Sequence, residues 1–360
     1  MTTRDVARIG RDSLSAWTAR YLEWMRVRRY SERTVDTNRR HLEAFIAWCD
    51  VRGIYESEEV TKPMLERYQR HLFHYRKKGG RPLSYSSQAG KLIALRGFFR
   101  WLARQNVLLS NPASEIELPR PEKRLPKHVL TTSEVERVLA VPDVTDPIGL
   151  RDRAIMETLY STGIRRLELV GLSLFDVDGE RGTLAVRRGK GNKDRVVPIG
   201  ERALLWIEKY TSEARPELVV GGSEVTLFLT RHGEALTADT LSYRLKKYVD
   251  AAEMGKTGAC HLFRHTMATL MLEGGADVRF VQEMLGHSKL ETTQIYTHVS
   301  IKRLKEVHDA THPGARLRGR AAGDVSRMRT EVAAEPSPSA EELLLTLAAE
   351  AADEDEDGPR

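Results

Sequence analysis

Residues 183–199 read Thr183-Leu-Ala-Val-Arg-Arg-Gly-Lys-Gly-Asn-Lys-Asp-Arg-Val-Val-Pro-Ile199. Leu184 and Val186 lie on one side of a Gly-Lys-Gly-Asn turn (189–192), and Val196, Val197 and Ile199 lie on the other. β-formers flanking residues that tolerate positive φ predict a hairpin. The sequence around it reads as helix. Downstream, apolar spacing predicts helices at 201–212, 237–252, 261–273 and 277–285. Upstream, Thr131 and Glu134 have capping-box spacing, and a helix over 150–160 meets a stop at Gly163. The expected unit is therefore α+β, mostly helical with one small sheet.

Further upstream, Pro112, Pro119, Pro121 and Pro126 punctuate a polar stretch, which places a linker at 118–128. Before it, Leu42, Phe45, Ile46 and Cys49 form one apolar stripe, with Ser31 as a candidate cap. Thr61 can start a second helix with Pro63 in its first turn. A third covers 84–104, with Leu92, Leu95, Phe99 and Leu102 on one side. Arg96, Arg100 and Arg104 recur at i, i+4, i+8. They read as a solvated face, or, together with Arg39 and Arg40, as a face that tracks phosphates.

The 360 residues suffice for two domains, here 1–117 and 129–312. The net charge of +6 is unevenly distributed. Residues 331–360 hold ten acids and one base, so the first 330 carry +15. Residues 1–120 alone hold 23 Lys/Arg against 13 Asp/Glu. A basic body points towards a polyanion, nucleic acid first. The segment 313–360, basic and then acidic, is expected to be mostly disordered, with one short helix where Ser339 and Glu342 precede Leu343–Leu347. Cys49 and Cys260 are the only cysteines, which excludes a disulfide scaffold and fits a reducing cytosol. No apolar run is long enough for a membrane span. The first residues lack a signal-peptide core. A cytoplasmic, nucleoid-associated protein is expected.

Four clusters could carry chemistry. Ser161-Thr-Gly-Ile-Arg-Arg-Leu-Glu-Leu169 puts arginine after a helix stop, although Arg165 could simply pair with Glu168 on the surface. Gly189-Lys-Gly-Asn-Lys-Asp194 lets Lys190 and Lys193 approach a phosphate, but it is equally an ordinary polar turn and lacks P-loop spacing. His261-Leu-Phe-Arg-His265 places two histidines one turn apart. It is not HExxH, and no carboxylate or thiol set completes a metal site, so none is assigned. Leu285-Gly-His-Ser288 and Gln294-Ile-Tyr-Thr-His298 bring His287 and Tyr296, and a lone tyrosine is usually packing. Jointly, two arginines, a lysine, histidines and a tyrosine suit phosphoryl transfer without a metal. Guanidinium groups can clamp nonbridging oxygens. A tyrosine becomes a nucleophile with a base or a cationic field. Histidine titrates near neutrality.

In this combination and order the motifs resemble the tyrosine recombinases, or phage-type integrases, and within them the Xer-like branch. The resemblance covers about residues 12–312. It rests on Thr162-Gly-Ile-Arg165, Gly189-Lys-Gly-Asn-Lys193, His261-x-x-Arg264, Leu285-Gly-His287 and Ile295-Tyr-Thr-His298. It implies a helical, SAM-like core-binding domain and an α+β catalytic domain closing as a clamp on double-stranded DNA at a specific recombination site. It implies Tyr296 as nucleophile, giving a 3′-phosphotyrosyl link. Arg165 and Arg264 become the phosphate clamp, Lys190 the acid for the 5′-oxygen, and His261 the partner of Tyr296. His287 becomes a further phosphate ligand, and Glu168 a brace behind the site. Neither ATP, metal nor other cofactor is required. A homo- or hetero-tetramer on synapsed DNA is implied, joined by exchange of a C-terminal segment at 301–311. The function implied is integration or excision of a mobile element, or dimer resolution. The alternatives are a catalytically silent DNA-binding factor and a type IB-like topoisomerase. Arg166 beside Arg165, Phe263, and the extension 313–360 depart from the family pattern. Arg165 is favoured over Arg166 by its place after Thr-Gly-Ile.

Overall fold

The computed structural model describes residues 13–77, 79–119, 128–187, 194–220, 225–286, 298–315 and 339–356. Residues 188–193 with Lys190 and Lys193, the segment with His287 and Tyr296, and most of the expected linker lie outside the described residues. The chain divides into two compact units between Lys123 and Arg124.

The first unit holds α1 (Leu14–Val27), α2 (Glu32–Asp50), α3 (Lys62–His74) and α4 (Tyr85–Arg104). Serine side chains start three of them. Ser13 Oγ accepts from Ala16 N at 3.2 Å, Ser31 Oγ from Thr34 N at 3.1 Å, and Ser84 Oγ from Ser87 N at 3.0 Å. Thr61 sits at the start of α3, but its hydroxyl makes no capping bond. Pro63 supplies a pre-set φ in that first turn, where its missing N–H is harmless. The expected stripes meet. Leu42, Phe45 and Cys49 of α2 join Leu92, Leu95, Phe99 and Leu102 of α4 in one buried cluster with Tyr68. Phe45 stands edge-on to Tyr68 at 5.0 Å between centroids. Burial pushes the Cys49 thiol up to about 12, so it stays protonated and unreactive.

The second unit is organised around α6 (Pro147–Thr162), a helix buried on nearly every face. Ahead of it, α5 (Thr132–Leu139) starts with the expected capping box: Thr131 Oγ1 accepts from Glu134 N, and Glu134 Oε2 accepts from Thr131 N at 2.7 Å. After it come α7 (Arg166–Val170) and an antiparallel sheet of β1 (Val177–Asp178), β2 (Thr183–Val186) and β3 (Arg195–Pro198). Register pairs Leu184 with Val197 and Val186 with Arg195. The helix expected at 201–212 is interrupted. It runs as α8 (Glu201–Lys209), then a π-helical turn over 210–214, then α9 (Arg215–Leu218). Arg215 N reaches back to Tyr210 O, and Pro216 beyond it has no N–H to continue the ladder. Next come α10 (Ala238–Ala251), α11 (Cys260–Glu273) and α12 (Val278–Leu285). Against α6 pack α8 and α11.

The C-terminal part is described over 298–315 and 339–356. Helix α13 (His298–Thr311) packs along β3 and α11. His308 Nε2 donates to Ser161 O at 2.9 Å and His312 Nε2 to Tyr160 O at 2.8 Å, with the two rings stacked. Residues 313–315 continue this packing, and Ala315 O accepts from Glu201 N at 2.8 Å. Helix α14 (Ala340–Glu356) is longer than the short helix expected. Its cap is the expected one: Ser339 Oγ accepts from Glu342 N, and Glu342 Oε2 accepts from Ser339 N, both at 3.2 Å. Leu343 and Leu347 are buried in a cluster with Met267, Met271, Val281, Met284 and Leu304. The composition is acidic, but the apolar turn at 343–347 has a surface of its own chain to cover, which offsets the entropy of ordering.

Removing the Leu347 side chain should detach α14 first. Leu→Ala at a fully buried site costs about 2–5 kcal/mol. For Leu347→Ala, hydrogen exchange should show lost protection over 340–348 with α6 unchanged. Retained protection over 340–348 would mean that Leu347 does not hold the helix.

Candidate active site

The end of α6 sets the first element. Gly163 closes it in the left-handed region at φ 61°, and its N–H donates to Leu159 O at 2.9 Å. The positive φ favours glycine here, and a Cβ would also displace the end of the Met267 side chain. The turn delivers Arg165 to the N-cap of α7 in extended backbone. Glu168, one turn on, accepts from Arg165 N at 2.8 Å and pairs with the Arg165 guanidinium at 3.3 Å. Arg166 takes a different direction, with Nη1 3.2 Å from Ser242 Oγ and 3.8 Å from Asp239, both on α10. Of the two adjacent arginines, Arg165 is therefore the one that shares the Glu168 cluster.

The second element is Arg264 on α11, 1 % exposed. Its Nη1 donates to Gly163 O at 2.5 Å and its Nη2 to Leu285 O at 3.0 Å. One guanidinium thus joins the turn before Arg165 to the last residue of α12. Gly286 closes α12 in the left-handed region at φ 67°, immediately before the segment with His287 and Tyr296. His261 lies one turn before Arg264 on α11, half-buried, with its ring 6.2 Å from that of the buried His265.

A third arginine completes the cluster and was not among the expected site residues. Arg195 on β3 makes a two-pronged contact with Glu168, both N–H to O distances being 2.8 Å. Its Nε also donates to Met284 O at 3.3 Å. Burial pushes the Glu168 carboxyl up, but the hydrogen bond and charge of Arg195, then the Arg165 N–H and charge, hold it below the usual carboxylate range. The signal for Arg195 lay in strand alternation. It shares a face with the buried Val197, so it is a charge on the inward side of a strand.

Three expected site residues, Arg165, Glu168 and Arg264, are thus joined through one turn, and His261 lies one turn before Arg264 on α11. Lys190, Lys193, His287 and Tyr296 lie outside the described residues. On the first unit, Arg96 is half-buried and Arg100 and Arg104 are exposed along one side of α4. Arg40 is exposed on α2, where its Nη2 reaches Thr37 Oγ1 at 3.3 Å. Arg39 is paired with Asp36 of the same helix. Among the described residues, no three His, Cys, Asp or Glu side chains are grouped to hold a metal, and no helix is long and apolar enough to cross a membrane.

Residues 128–303 match the family model described as the phage integrase family, and residues 18–106 match the phage integrase N-terminal SAM-like domain. The chain is 53 % identical over 304 residues to tyrosine recombinase XerC 2 of Ralstonia nicotianae, covering 84 % of this chain and 87 % of the relative. The chain is a Xer-like tyrosine recombinase. It is also 40 % identical over 283 residues to tyrosine recombinase XerD of Pseudomonas aeruginosa, covering 79 % and 92 % of the two chains. Among solved structures it resembles XerH site-specific recombinase bound to a palindromic difH substrate, with a TM-score of 0.57, 26 % identity, and 76 % and 79 % of the chains covered. A lambda integrase dimer on a core site shares the fold, with a TM-score of 0.59, 18 % identity, and 79 % and 100 % covered. In this recombinase the Arg165–Glu168–Arg195 and Arg264 contacts therefore fall within the region that matches the phage integrase family.

Proposed function

We propose that this recombinase cuts and rejoins DNA at a specific site through a covalent tyrosyl intermediate. One observation carries the reading: Arg264 holds the carbonyl of Gly163, two residues before Arg165, so both arginines of the proposed phosphate clamp are fixed to one turn. Paired guanidinium groups suit the nonbridging oxygens of a pentacoordinate phosphorus. The Tyr296 oxygen attacks the scissile phosphorus while His261 takes its proton. The 5′-oxygen departs with a proton from Lys190, leaving a 3′-phosphotyrosyl bond and a free 5′-hydroxyl. His287 contacts the phosphate. Attack by the 5′-hydroxyl of a second strand reverses these steps, so one phosphoester is exchanged for another of similar energy. Lys193 beside Lys190 approaches the backbone.

Residues 1–117 serve as the core-binding domain, 118–128 as linker and 129–312 as the catalytic domain, the two domains closing as a clamp on duplex DNA. The excess of basic residues in the first domain supports this, with Arg39, Arg40, Arg96, Arg100 and Arg104 as its phosphate contacts. Lambda integrase has been solved as a tetramer bound to a Holliday junction. By likeness, this chain works in a tetramer on two synapsed sites, with itself or a second recombinase, exchanging its 301–311 segment. The setting is the cytoplasm, on the nucleoid, and the role is movement of a mobile element or resolution of DNA dimers.

The test is a nicked suicide duplex carrying the cognate site. A covalent adduct should form, and protease mapping should place the DNA on the peptide containing residue 296. No adduct would leave a silent DNA-binding factor. An adduct with relaxation but no strand exchange between two sites would leave a topoisomerase.

Lys190 has its own test. General acid catalysis contributes typically about 10²–10⁴-fold, so Lys190→Ala should slow cleavage within that range. A substrate with a 5′-bridging sulfur, whose leaving group needs no proton, should restore the rate. A variant that stays slow on the sulfur substrate removes Lys190 from the acid role.

A further inference from the structure

Arg195 stands outside the six residues assigned to the chemistry, yet it touches Glu168 on α7, whose N-cap is Arg165, and the last turn of α12, which precedes His287 in the chain. Its guanidinium takes both oxygens of Glu168, the carboxylate that binds the Arg165 backbone N–H and guanidinium. Its Nε reaches Met284 O in the last turn of α12. Arg264 holds the next carbonyl, Leu285 O, and at its other end Gly163 O. The Met284 and Leu285 carbonyls lie at the negative dipole end of α12, so two cations there are favourable. Two arginines from different elements therefore tie the Gly163–Arg165 turn to the end of α12. One acts directly on the backbone and the other through Glu168. Gly286 leaves room for this: a Cβ there would meet the Arg195 guanidinium at 3.0 Å.

We propose that Arg195 is a positioning residue for strand cleavage, acting through Glu168 to fix the Arg165 guanidinium against the end of α12. The proposal rests on the reading of Arg165 as a phosphate clamp. A planar fork held at two oxygens sets orientation as well as place, which a lysine cannot reproduce in full. Displacing a clamp by about 1 Å lowers a rate about 10²-fold. The charges that hold the Glu168 carboxyl low include Arg195 from β3 and Arg165 from its own turn. Without Arg195, burial of the carboxyl loses its main counterweight, and protonation of Glu168 then loosens Arg165 at a pH where the parent still holds it.

The experiment uses the full chain, a nicked suicide duplex and single-turnover cleavage followed as pH falls. Arg195→Met should cleave about 10²-fold more slowly at neutral pH, with duplex binding unchanged. The acid limb of its rate profile should move to higher pH. Arg195→Lys should recover part of the rate and move the limb back. In a Glu168→Gln background, Arg195→Met should add little, because one path is already broken. An unchanged cleavage rate overturns the proposal. So does a slower rate with an unmoved acid limb, or full additivity of the two substitutions. If Arg195→Met fails to fold, the limb of Arg195→Lys against the parent decides the point. Failure of the parent itself to form an adduct would instead refute the clamp reading on which the proposal rests.

Discussion

Tyr296→Phe is expected to form no covalent DNA adduct, with strand cleavage reduced at least about 10⁴-fold and duplex binding unchanged. Phenylalanine keeps the ring and removes the one atom that bonds to phosphorus. Three of the other four tyrosines of the catalytic unit are held by burial or a hydrogen bond. Tyr160 and Tyr210 are buried, and burial pushes both phenols up. Burial also pushes the Tyr248 phenol up, to about 12, and its hydroxyl donates to Asp152 at 2.7 Å. Tyr243 is 57 % exposed on α10, with Lys247 over its ring at 4.7 Å. Tyr243→Phe is thus the matched control and should cleave like the parent. Denaturing gels of the suicide reaction read both variants. An adduct from Tyr296→Phe would move the nucleophile elsewhere in the chain.

The parts of this structure legible in the sequence are those whose causes are local. Ser31, Ser84 and the Thr131–Glu134 pair cap helices because each bond spans three residues. The hairpin follows from alternation, with Leu184 and Val197 opposed across β2 and β3. Gly163 and Gly286 both end helices with positive φ, as glycine does. The parts not legible depend on partners remote in sequence. Arg195 lies 27 residues from Glu168 and 89 from Met284. No spacing rule connects them, and only the inward face of β3 hinted at a buried charge. The same holds for Asp152, which α6 buries between the adjacent Arg151 and Arg244, 92 residues away. The full length of the tail helix was not legible for a related reason. Its acids argued for disorder, and the capping box for a short helix. Neither could say that Met267, Met271 and Met284 leave an apolar surface for Leu343 and Leu347 to cover. Hence the acidic tail is better tested by neutralising its acids than by deletion, since deletion also uncovers that surface.

Arg264→Ala should damage stability and chemistry together, and Arg264→Lys should separate them. Arg264 is 1 % exposed and two of its five donors hold the carbonyls of Gly163 and Leu285. Truncation to alanine leaves both carbonyls buried without these donors, at about 1–3 kcal/mol each, and opens a cavity beside Met267. The melting temperature should fall clearly, and cleavage should drop about 10³-fold or more as one half of the clamp disappears. Lysine keeps the charge but presents a single ammonium. It can reach one of the two carbonyls or the phosphate, and it cannot span Gly163 and Leu285 as a fork does. Arg264→Lys should therefore recover most of the melting temperature while cleavage remains about 10²-fold slow. Thermal unfolding alongside single-turnover cleavage distinguishes the two effects. Should Arg264→Lys cleave at the parent rate, a point charge is sufficient at this position, and the planar geometry tying α6 to α12 is not what the reaction needs.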